Sequence, residues 1–361
     1  MNKSVLFIIE DLCEGGAEKV FIHIANGFSN NGFEVEILLG RNKGDFFSLL
    51  NPKIKLSVLN ARSFFDLNCK LPLFFLKTAY THVFTASDYI SAATVIAKFL
   101  TNAHFETIVT LHYDLPYQLS ILPSENRKWL VWLNKNFLAK ASKIVAVSKG
   151  VNEGFRNITK LKGPYPITIY NPVIDQLVYK LAEEFIENKF SEQPFIITVG
   201  RLCEQKNQIL LLNAFKIVSE KFPKINLLVL GTGPDKNDLI KFINDNELTT
   251  KVHLLGFQNN PFKYIQRAKL FVLSSKYEGL GNVIIEALAL GINVVSTNCP
   301  SGPAEILDQG RFGWLSDVDD YQDLALKIDI ALSNPKPSEL LKLRAKNFLV
   351  NNKVAEYIKL I

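Results

Sequence analysis

The sequence contains few cysteines and no pattern that would assemble them into a site. The four are Cys13, Cys69, Cys203 and Cys299. They lie far apart, with no C-x-x-C pair and no Cys/His group at metal-ligand spacing, which argues against a structural zinc site and against a disulfide framework. A G-x-G-x-x-G dinucleotide fingerprint is also missing, because the first glycine-rich segment holds only Gly15 and Gly16. An NAD site is therefore disfavoured.

Long apolar runs are absent as well. No stretch of 18 or more uncharged apolar residues occurs, so a transmembrane helix is not predicted. The apolar run at 5–9 is interrupted by Glu10 and Asp11 before it reaches the length of a signal peptide. We interpret that run as a first β-strand and expect a cytoplasmic protein, with possible peripheral contact to the inner face of the cytoplasmic membrane.

The composition is that of an ordinary globular protein, with 48% hydrophobic and 21% charged residues among 361. Single cores stop growing at roughly 250 to 300 residues, so two domains are expected. The net charge of +6 lies entirely in the first half: residues 1–172 carry 19 Lys and Arg against 13 Asp and Glu, and the rest carry 22 of each. This excess indicates an anionic partner, either nucleic acid or an acidic membrane surface, or else ordinary solubilising charge.

Short apolar runs alternate with longer amphipathic segments along the whole chain, which is typical of βαβ units and parallel sheets. The first half predicts strands at 5–9, 34–39, 83–85, 107–111 and 144–147 with helices at 17–30, 89–100 and 126–140. The second predicts strands at 195–199, 226–230, 252–255, 270–273 and 293–297 with helices at 207–221, 235–246, 261–268 and 282–290. Residues 41–80 match no specific pattern and are predicted to form loops.

These elements predict an N-terminal domain at 1–172, a linker at 173–193, a second domain at 194–336 and a C-terminal helical segment at 337–361. We expect that segment to pack back on the N-terminal domain. Both domains would be doubly wound α/β structures, and ligands of such sheets bind outside the carboxyl ends of the strands.

The densest chemical signal is the segment YEGLGNVIIEALALG at 277–291, directly after an apolar strand. Asn282 is a predicted N-cap. Glycines before it would let a phosphate approach the free N–H groups of the first helical turn, where the helix dipole favours an anion. Glu278 precedes this helix and Glu286 lies about one turn inside it. Glutamate is rarely buried without a partner, so both carboxylates are candidate site residues.

Two other segments join a strand to a helix. In GRLCEQKN at 200–207, Arg201 and Lys206 lie five residues apart, and two cations at such a turn could bind a diphosphate. In EGGAE at 14–18, a glycine pair allows close approach of a ligand to the backbone.

Taken together, these motifs resemble the retaining glycosyltransferases of family 4, which have the GT-B fold of two Rossmann-like domains facing a central cleft. The resemblance covers almost the whole chain. Glu278 and Glu286 match the family's E-x7-E motif, 200–207 its phosphate-clamp segment, and 15–18 its first glycine-rich loop. The further matches are His112 after a strand, the Asn171-Pro172-Val173 interdomain turn, and the Gly231-Thr232-Gly233-Pro234 turn.

The resemblance implies a role for each matched residue. Arg201 and Lys206 would neutralise the departing diphosphate, with no metal or other cofactor. Glu286 would bind ribose hydroxyls, Glu278 the transferred sugar, and His112 would contact that sugar and orient the reacting centre. The donor would also contact Gly15, Gly16, Gly279, Leu280, Gly281 and Asn282. Glu305, in a loop similar to one in enzymes of bacterial surface glycans, is a second-rank candidate.

These matches predict a retaining enzyme that transfers a hexose or N-acetylhexosamine from a nucleotide sugar, expected to be a UDP-sugar, to a lipid-linked or lipopolysaccharide- or capsule-type acceptor. Two alternatives stay open: an epimerase or hydrolase of nucleotide sugars on the same scaffold, and a non-catalytic subunit that binds them. The D-x-D sequence at 317–319 has a metal-binding interpretation, but we expect an acidic surface turn there.

The last signal is a basic amphipathic segment at 125–149, which holds six Lys and Arg against one acid. Its apolar stripe consists of Leu130, Leu133, Phe137 and Ala141, with Trp129 and Trp132 beside it. It is typical of a helix on an anionic membrane surface. The other interpretation is a helix whose stripe joins the core while its cations are solvated. Nucleic acid is not expected as a partner of a glycosyltransferase.

Overall fold

A computed structural model of the chain describes residues 3–13, 15–161, 165–187, 190 and 193–361. The chain forms two compact units. The first consists of Met1–Val173 together with Val350–Ile361, and the second is Ile174–Leu349. None of the described helices combines the length and the apolar character that crossing a bilayer requires.

Within the described residues, the first unit contains a seven-stranded parallel sheet of order β3-β2-β1-β4-β5-β6-β7. Its strands are β1 Ser4–Ile9, β2 Glu34–Leu39, β3 Lys55–Val58, β4 His82–Thr85, β5 Glu106–Leu111, β6 Lys143–Ala146 and β7 Ile167–Thr168. Its helices are α1 Gly16–Asn30, α2 Phe64–Phe75, α3 Asp88–Thr101, α4 Leu115–Ile121, α5 Ser124–Asn136, α6 Lys149–Thr159 and, at the end of the chain, α15 Val350–Ile358. Short 3-10 helices lie at Phe46–Leu49 and Leu138–Lys140.

Helices cover both faces of this sheet because successive side chains of a strand point to opposite sides. In β1, Val5, Phe7 and Ile9 face the cluster that contains α1 and α15. Leu6 and Ile8 face the cluster that contains α2 and α3. Both sets are buried, which explains why β1 is an uninterrupted apolar run.

The C-terminal helix α15 packs directly on α1. A Cβ atom added at Gly27 would lie 2.4 Å from Cγ1 of Val354, so α15 can approach α1 this closely only because residue 27 has no side chain. Tyr357 is fully buried in the same cluster, with its ring 6.4 Å from that of Phe84. Of the segment 337–361 that we expected on the N-terminal domain, residues 350–361 belong to the first unit and 337–349 to the second.

Within its described residues, the second unit contains a six-stranded parallel sheet of order β10-β9-β8-β11-β12-β13. The strands are β8 Phe195–Val199, β9 Asn226–Leu230, β10 Val252–Gly256, β11 Leu270–Leu273, β12 Val294–Thr297 and β13 Trp314–Ser316. The helices are α7 Gln176–Ala182, α8 Gln208–Lys221, α9 Lys236–Asp245, α10 Phe262–Ile265, α11 Asn282–Ala289, α12 Pro303–Ile306, α13 Tyr321–Ser333 and α14 Ser338–Ala345, with a 3-10 helix at Lys346–Phe348. The predicted class, two doubly wound α/β units with parallel sheets, is confirmed.

The structure differs from the sequence-based prediction in two segments. Residues 41–80, predicted as loops, contain β3 and α2. Strand β3 is only four residues long and mostly exposed, and α2 has large apolar residues on its solvent side as well as its core side and contains Pro72, so both give weak sequence signals. The predicted linker 173–193 contains α7, which packs on α10 within the second unit. Residues 188, 189, 191 and 192 of that linker lie outside the described residues.

Candidate active site

The loop after β8 carries the two predicted cations of the second unit. It begins at the carboxyl end of a buried strand and is held at both ends: Gln208 Nε2 donates to the Arg201 carbonyl at 2.9 Å, and Ser274 Oγ donates to the Lys206 carbonyl at 2.8 Å. The Arg201 side chain is exposed, whereas Lys206 is partly buried. Among the described residues, the Arg201 guanidinium has no hydrogen-bond or ion-pair partner, so it is available to an anion.

Glu278 joins this loop to the loop after β11. Lys206 Nζ donates to Glu278 Oε1 at 2.5 Å, and Ser275 Oγ donates to the same oxygen at 2.6 Å. Strands β8 and β11 are hydrogen-bonded neighbours, so their carboxyl ends bring residues 72 positions apart into contact. Both partners are largely buried, and charges in such surroundings are kept only when they are paired.

More hydrogen bonds hold the two loops in register. The Lys276 N–H donates to the Gln205 carbonyl at 2.8 Å, and Gln205 Nε2 donates to the Tyr277 carbonyl at 3.0 Å. Lys276 Nζ also pairs with Glu204 at 3.1 Å. The position of Lys206 relative to Glu278 is therefore fixed by backbone contacts as well as by their own ion pair.

Helix α11 follows the segment Glu278-Gly279-Leu280-Gly281. The prediction of Asn282 as its N-cap is wrong: Gly281 occupies that position with φ of 93°, and Asn282 is the first helical residue. A φ in the left-handed region favours glycine and turns the chain into the helix one residue earlier than expected. Glu286 lies one turn further along and is buried. Within this first turn the Ile284 N–H donates to the Gly281 carbonyl at 2.9 Å.

The end of β12 and the segment after it are hydrogen-bonded to the loop after β11. Thr297 Oγ1 donates to the Ser275 carbonyl at 2.6 Å, and the Glu278 N–H donates to the Pro300 carbonyl at 3.3 Å. Glu305, the second-rank candidate, lies in α12, and its carbonyl accepts from Arg344 Nη2 at 2.6 Å. Ser275 escaped the sequence analysis, although its place just after a buried apolar strand, at the carboxyl edge of a parallel sheet, was an available signal.

The D-x-D sequence has structural partners in this unit. Asp319 accepts from Asn207 Nδ2 at 2.8 Å, and Asp320 caps α13 by accepting from the N–H groups of Gln322 and Asp323 at 2.9 Å each. Within the described ranges, no three His, Cys, Asp or Glu side chains are grouped so that they could hold a metal ion.

The remaining predicted residues belong to the first unit. Gly15 is the N-cap of α1 and Gly16 its first residue, while Glu14 of the same motif lies outside the described residues. His112 follows β5: its Nε2 lies 2.9 Å from Thr110 Oγ1, and its ring contacts Phe21. Burial lowers the pKa of His112 to about 4, so the imidazole is neutral at physiological pH.

The structure thus gathers Arg201, Lys206, Glu278, the 279–282 backbone and Glu286 around one edge of the second sheet. Comparison with family models gives this arrangement its context. A model described as "Glycosyl transferases group 1" matches residues 180–348, and one described as "Glycosyltransferase Family 4" matches residues 14–176. The chain belongs to glycosyltransferase family 4. In this glycosyltransferase the two matches cover nearly all of the second unit and all of the first except residues 1–13 and 350–361.

Curated relatives differ in how much of the chain they cover. A Methanocaldococcus jannaschii protein named an uncharacterized glycosyltransferase is 32% identical over 246 residues, 59% of this chain and 60% of that protein. A Campylobacter jejuni enzyme named N-acetylgalactosamine-N,N'-diacetylbacillosaminyl-diphospho-undecaprenol 4-alpha-N-acetylgalactosaminyltransferase is 33% identical over 207 residues, 57% of this chain and 55% of that protein. The chain therefore spans about three fifths of these two relatives.

A third relative is matched along its whole length. It is another Campylobacter jejuni enzyme, named a GalNAc-alpha-(1->4)-GalNAc-alpha-(1->3)-diNAcBac-PP-undecaprenol alpha-1,4-N-acetyl-D-galactosaminyltransferase, and is 25% identical over 372 aligned positions. The alignment covers 99% of this chain and 98% of that enzyme.

Solved structures agree on the fold. HepE of Anabaena, in complex with UDP and glucose, superposes with a TM-score of 0.81 at 21% identity, covering all of both chains. Sucrose-phosphate synthase of Thermosynechococcus elongatus gives 0.82 at 16% identity, covering 99% of this chain and 98% of that one. The predicted GT-B fold is confirmed.

Proposed function

We propose that this glycosyltransferase moves a hexose or N-acetylhexosamine from a UDP-sugar to a lipid-linked or lipopolysaccharide- or capsule-type glycan acceptor, with retention of the anomeric configuration. The observation that carries the proposal is the buried contact between Lys206 and Glu278 just before helix α11. It puts a cation and a carboxylate beside a helix N-terminus at one sheet edge, as binding of a charged sugar donor requires.

The leaving diphosphate would bind to Arg201, Lys206 and the first turn of α11. Charge builds on this group as the glycosidic bond breaks, so donors aimed at it stabilise the transition state more than the ground state. Lys206 is held in place by Glu278 and by backbone contacts, so little reorganisation is needed when the donor binds. We propose that these groups suffice without a metal ion.

The two carboxylates would bind the hydroxyls of the donor. Glu278 Oε1 already accepts hydrogen bonds from Lys206 and Ser275, so Oε2 is the oxygen that we assign to the transferred sugar. Glu286 is assigned to the ribose. His112 belongs to the other unit, and we assign its neutral imidazole to the donor sugar. Retention would follow from attack on the face that the diphosphate leaves, with a phosphate oxygen accepting the proton of the acceptor hydroxyl.

Choice of donor and acceptor is supported by the comparisons. HepE was solved with UDP and glucose, and both Campylobacter relatives carry names that specify a diphospho-undecaprenol-linked glycan. An acceptor on a lipid carrier is therefore our first choice.

The test is to incubate the protein with a panel of UDP-sugars and to measure UDP release with and without undecaprenyl-diphosphate-linked glycans. We expect release that depends on both donor and acceptor, and proton NMR of the product should show the donor's anomeric configuration. Donor turnover without any acceptor would instead identify an epimerase or hydrolase. If the protein binds UDP-sugars tightly but turns them over with none of the acceptors, it is a non-catalytic binding subunit.

A further inference from the structure

Helix α2 is apolar on its solvent side as well as on its core side. Leu67, Leu71 and Phe75 are buried in the core of the first unit. On the opposite side, Phe65, Leu73 and the C-cap residue Leu76 are each at least 60% exposed. A surface helix normally shows a polar face to water, so the outer side of α2 suits a second apolar environment.

Helix α3 extends this apolar surface. Phe64 at the start of α2 lies against Tyr89 at the start of α3, and Phe75 at the end of α2 lies against Phe105 just beyond α3, so the two helices run parallel. The outward side chains near their C-terminal ends are Leu73, Leu76, Phe99 and Leu100. Among the described residues, seven large hydrophobic side chains are 60% exposed or more, and five of them lie on α2, at its C-cap or on α3. Such clustering marks an interaction surface.

Helix α5 adds two tryptophans. The Trp129 ring stacks on that of Tyr89 at 5.5 Å and contacts Phe64 at 5.8 Å, and Trp132 lies on Phe137 at 5.3 Å. Both tryptophans remain exposed. In contrast, Leu130 and Leu133 of the predicted stripe are buried in the unit. Tryptophan and tyrosine are enriched where an apolar layer meets water, as at the headgroup level of a bilayer.

The charges around this surface have one predominant sign. Residues 62–77, 88–101 and 124–140 carry eight Lys and Arg against three acids. Of those acids, Asp88 is buried and Asp66 is paired with Lys70 at 2.9 Å. Lys140 lies 5.2 Å from the centre of the Phe99 ring, so cations border the apolar side chains directly. A second copy docking through the same surface would bring like charges together, whereas anionic lipid headgroups would complement them.

We propose that the outer side of α2, α3 and α5 binds the surface of an anionic lipid bilayer. Its apolar side chains would enter the boundary between headgroups and acyl chains while the surrounding cations contact the headgroups. We call it the lipid-facing surface, formed by Phe65, Leu73, Leu76, Phe99, Leu100, Trp129 and Trp132. It extends the basic helix of the sequence analysis to two further helices, and it does not depend on the proposed transfer reaction.

Co-sedimentation of the full chain with phosphatidylcholine vesicles, with and without about 30% phosphatidylglycerol, tests this surface. The wild type should bind the anionic vesicles. L73Q/L76Q should bind them at least tenfold more weakly, because two leucines lose their apolar insertion. The matched control is L326Q/L343Q in the second unit, whose leucines are 52% and 59% exposed and which should bind like the wild type.

Insertion has a readout of its own. Two of the three tryptophans belong to the lipid-facing surface, so brominated acyl chains should quench the fluorescence of W314F about as fully as that of the wild type, and that of W129F/W132F far less.

The triple variant K128Q/K135Q/K140Q should weaken vesicle binding and reduce the dependence of binding on salt. F99Q/L100Q replaces L73Q/L76Q if circular dichroism shows the latter to be unfolded.

Absence of binding to anionic vesicles at low salt would overturn the proposal. The proposal would also be overturned if L73Q/L76Q and F99Q/L100Q both fold and both bind anionic vesicles as tightly as the wild type. A wild-type dimer that L73Q/L76Q dissociates, without vesicle binding, would assign the surface to a second copy instead.

Discussion

At the scale of single residues, Lys206 and Glu278 determine what the site can do. Glu278 would both orient the Lys206 ammonium and bind the donor, so the loss of either side chain leaves the other charge poorly paired in a largely buried place. The exposed Arg201 guanidinium, which has no ion-pair partner among the described residues, would add a second positive charge for the diphosphate.

We predict that Arg201→Ala and Lys206→Ala each lower kcat about 100-fold or more while UDP affinity falls much less, because their contacts strengthen as charge develops on the leaving diphosphate. Steady-state kinetics and calorimetric titration with UDP measure the two effects. Lys221→Ala, which breaks the exposed ion pair with Asp329 in the same unit, is the matched control and should retain activity. Near wild-type kcat in either site variant would contradict the assignment.

Ser275 is a positioning residue in this scheme. Ser275→Ala removes one of the two hydrogen bonds to Glu278 Oε1, and a hydrogen bond to a charged group contributes about 1.5 to 3 kcal/mol. We expect kcat/KM for the donor to fall roughly 10- to 100-fold, with the free energy of unfolding reduced only modestly. Ser219→Ala, another buried serine of the second unit, controls for loss of a buried hydroxyl. Equal kinetics of the two variants would remove Ser275 from the site.

The pKa of Asp88 is set by burial rather than by its position at a helix N-terminus. It lies in the first turn of α3, where the dipole favours a carboxylate, yet burial raises its pKa to about 6. Because the pKa is higher in the folded state than in the unfolded state, where it is 3.8, the ionised carboxyl lowers the free energy of unfolding fully above pH 6 and not at all below pH 3.8. Asp88→Asn should therefore raise the free energy of unfolding by about 3 kcal/mol at pH 7.5 and leave it nearly unchanged at pH 3.5. Denaturant unfolding at both pH values measures this, and equal effects at the two would refute it.

At the scale of secondary-structure elements, the packing of α15 on α1 depends on one glycine. Gly27→Ala would ordinarily favour a helix, but the new Cβ would meet the Val354 side chain. We expect a loss of about 2 kcal/mol from overpacking, partly restored in the double variant Gly27→Ala/Val354→Ala, which removes the opposing methyl groups. Thermal unfolding of the three proteins is the measurement. A Gly27→Ala protein as stable as the wild type would show that α15 is not held against α1.

At the scale of the whole molecule, the proposed chemistry relies on fixed protein charges. Transfer activity should be unchanged in excess EDTA, since Arg201, Lys206 and the α11 N-terminus supply the positive charge that a metal ion would otherwise provide. The same assay after addition of Mg²⁺ or Mn²⁺ completes the comparison. If activity is lost in EDTA and recovered with either metal, the enzyme needs a metal ion, and Asp317, Asp319 and Asp320 become candidate ligands.

Much of the fold was determined by the sequence alone. Strands β2, β8, β9 and β11 lie where the sequence predicted them, because buried parallel strands are continuous apolar runs whose signal is local. The glycine and glutamate spacing around α11 also predicted a candidate donor-binding segment, since a helix start and the glycines before it are properties of a short stretch of chain. The prediction missed α2 for a related reason: large apolar residues on its solvent side as well as its core side weaken the helical period that a sequence can show.

The tertiary structure alone decided how those local pieces meet. Lys206 and Glu278 are 72 residues apart, and only the adjacency of β8 and β11 brings their charges to 2.5 Å, with Ser275 beside them. The division of the tail between the two units and the raised pKa of Asp88 likewise depend on which distant side chains surround each group. How deeply a group is buried and which charge it pairs with depend on residues that are remote in the chain. The sequence could therefore predict candidate residues of the site, but only the fold determined which of them are in contact.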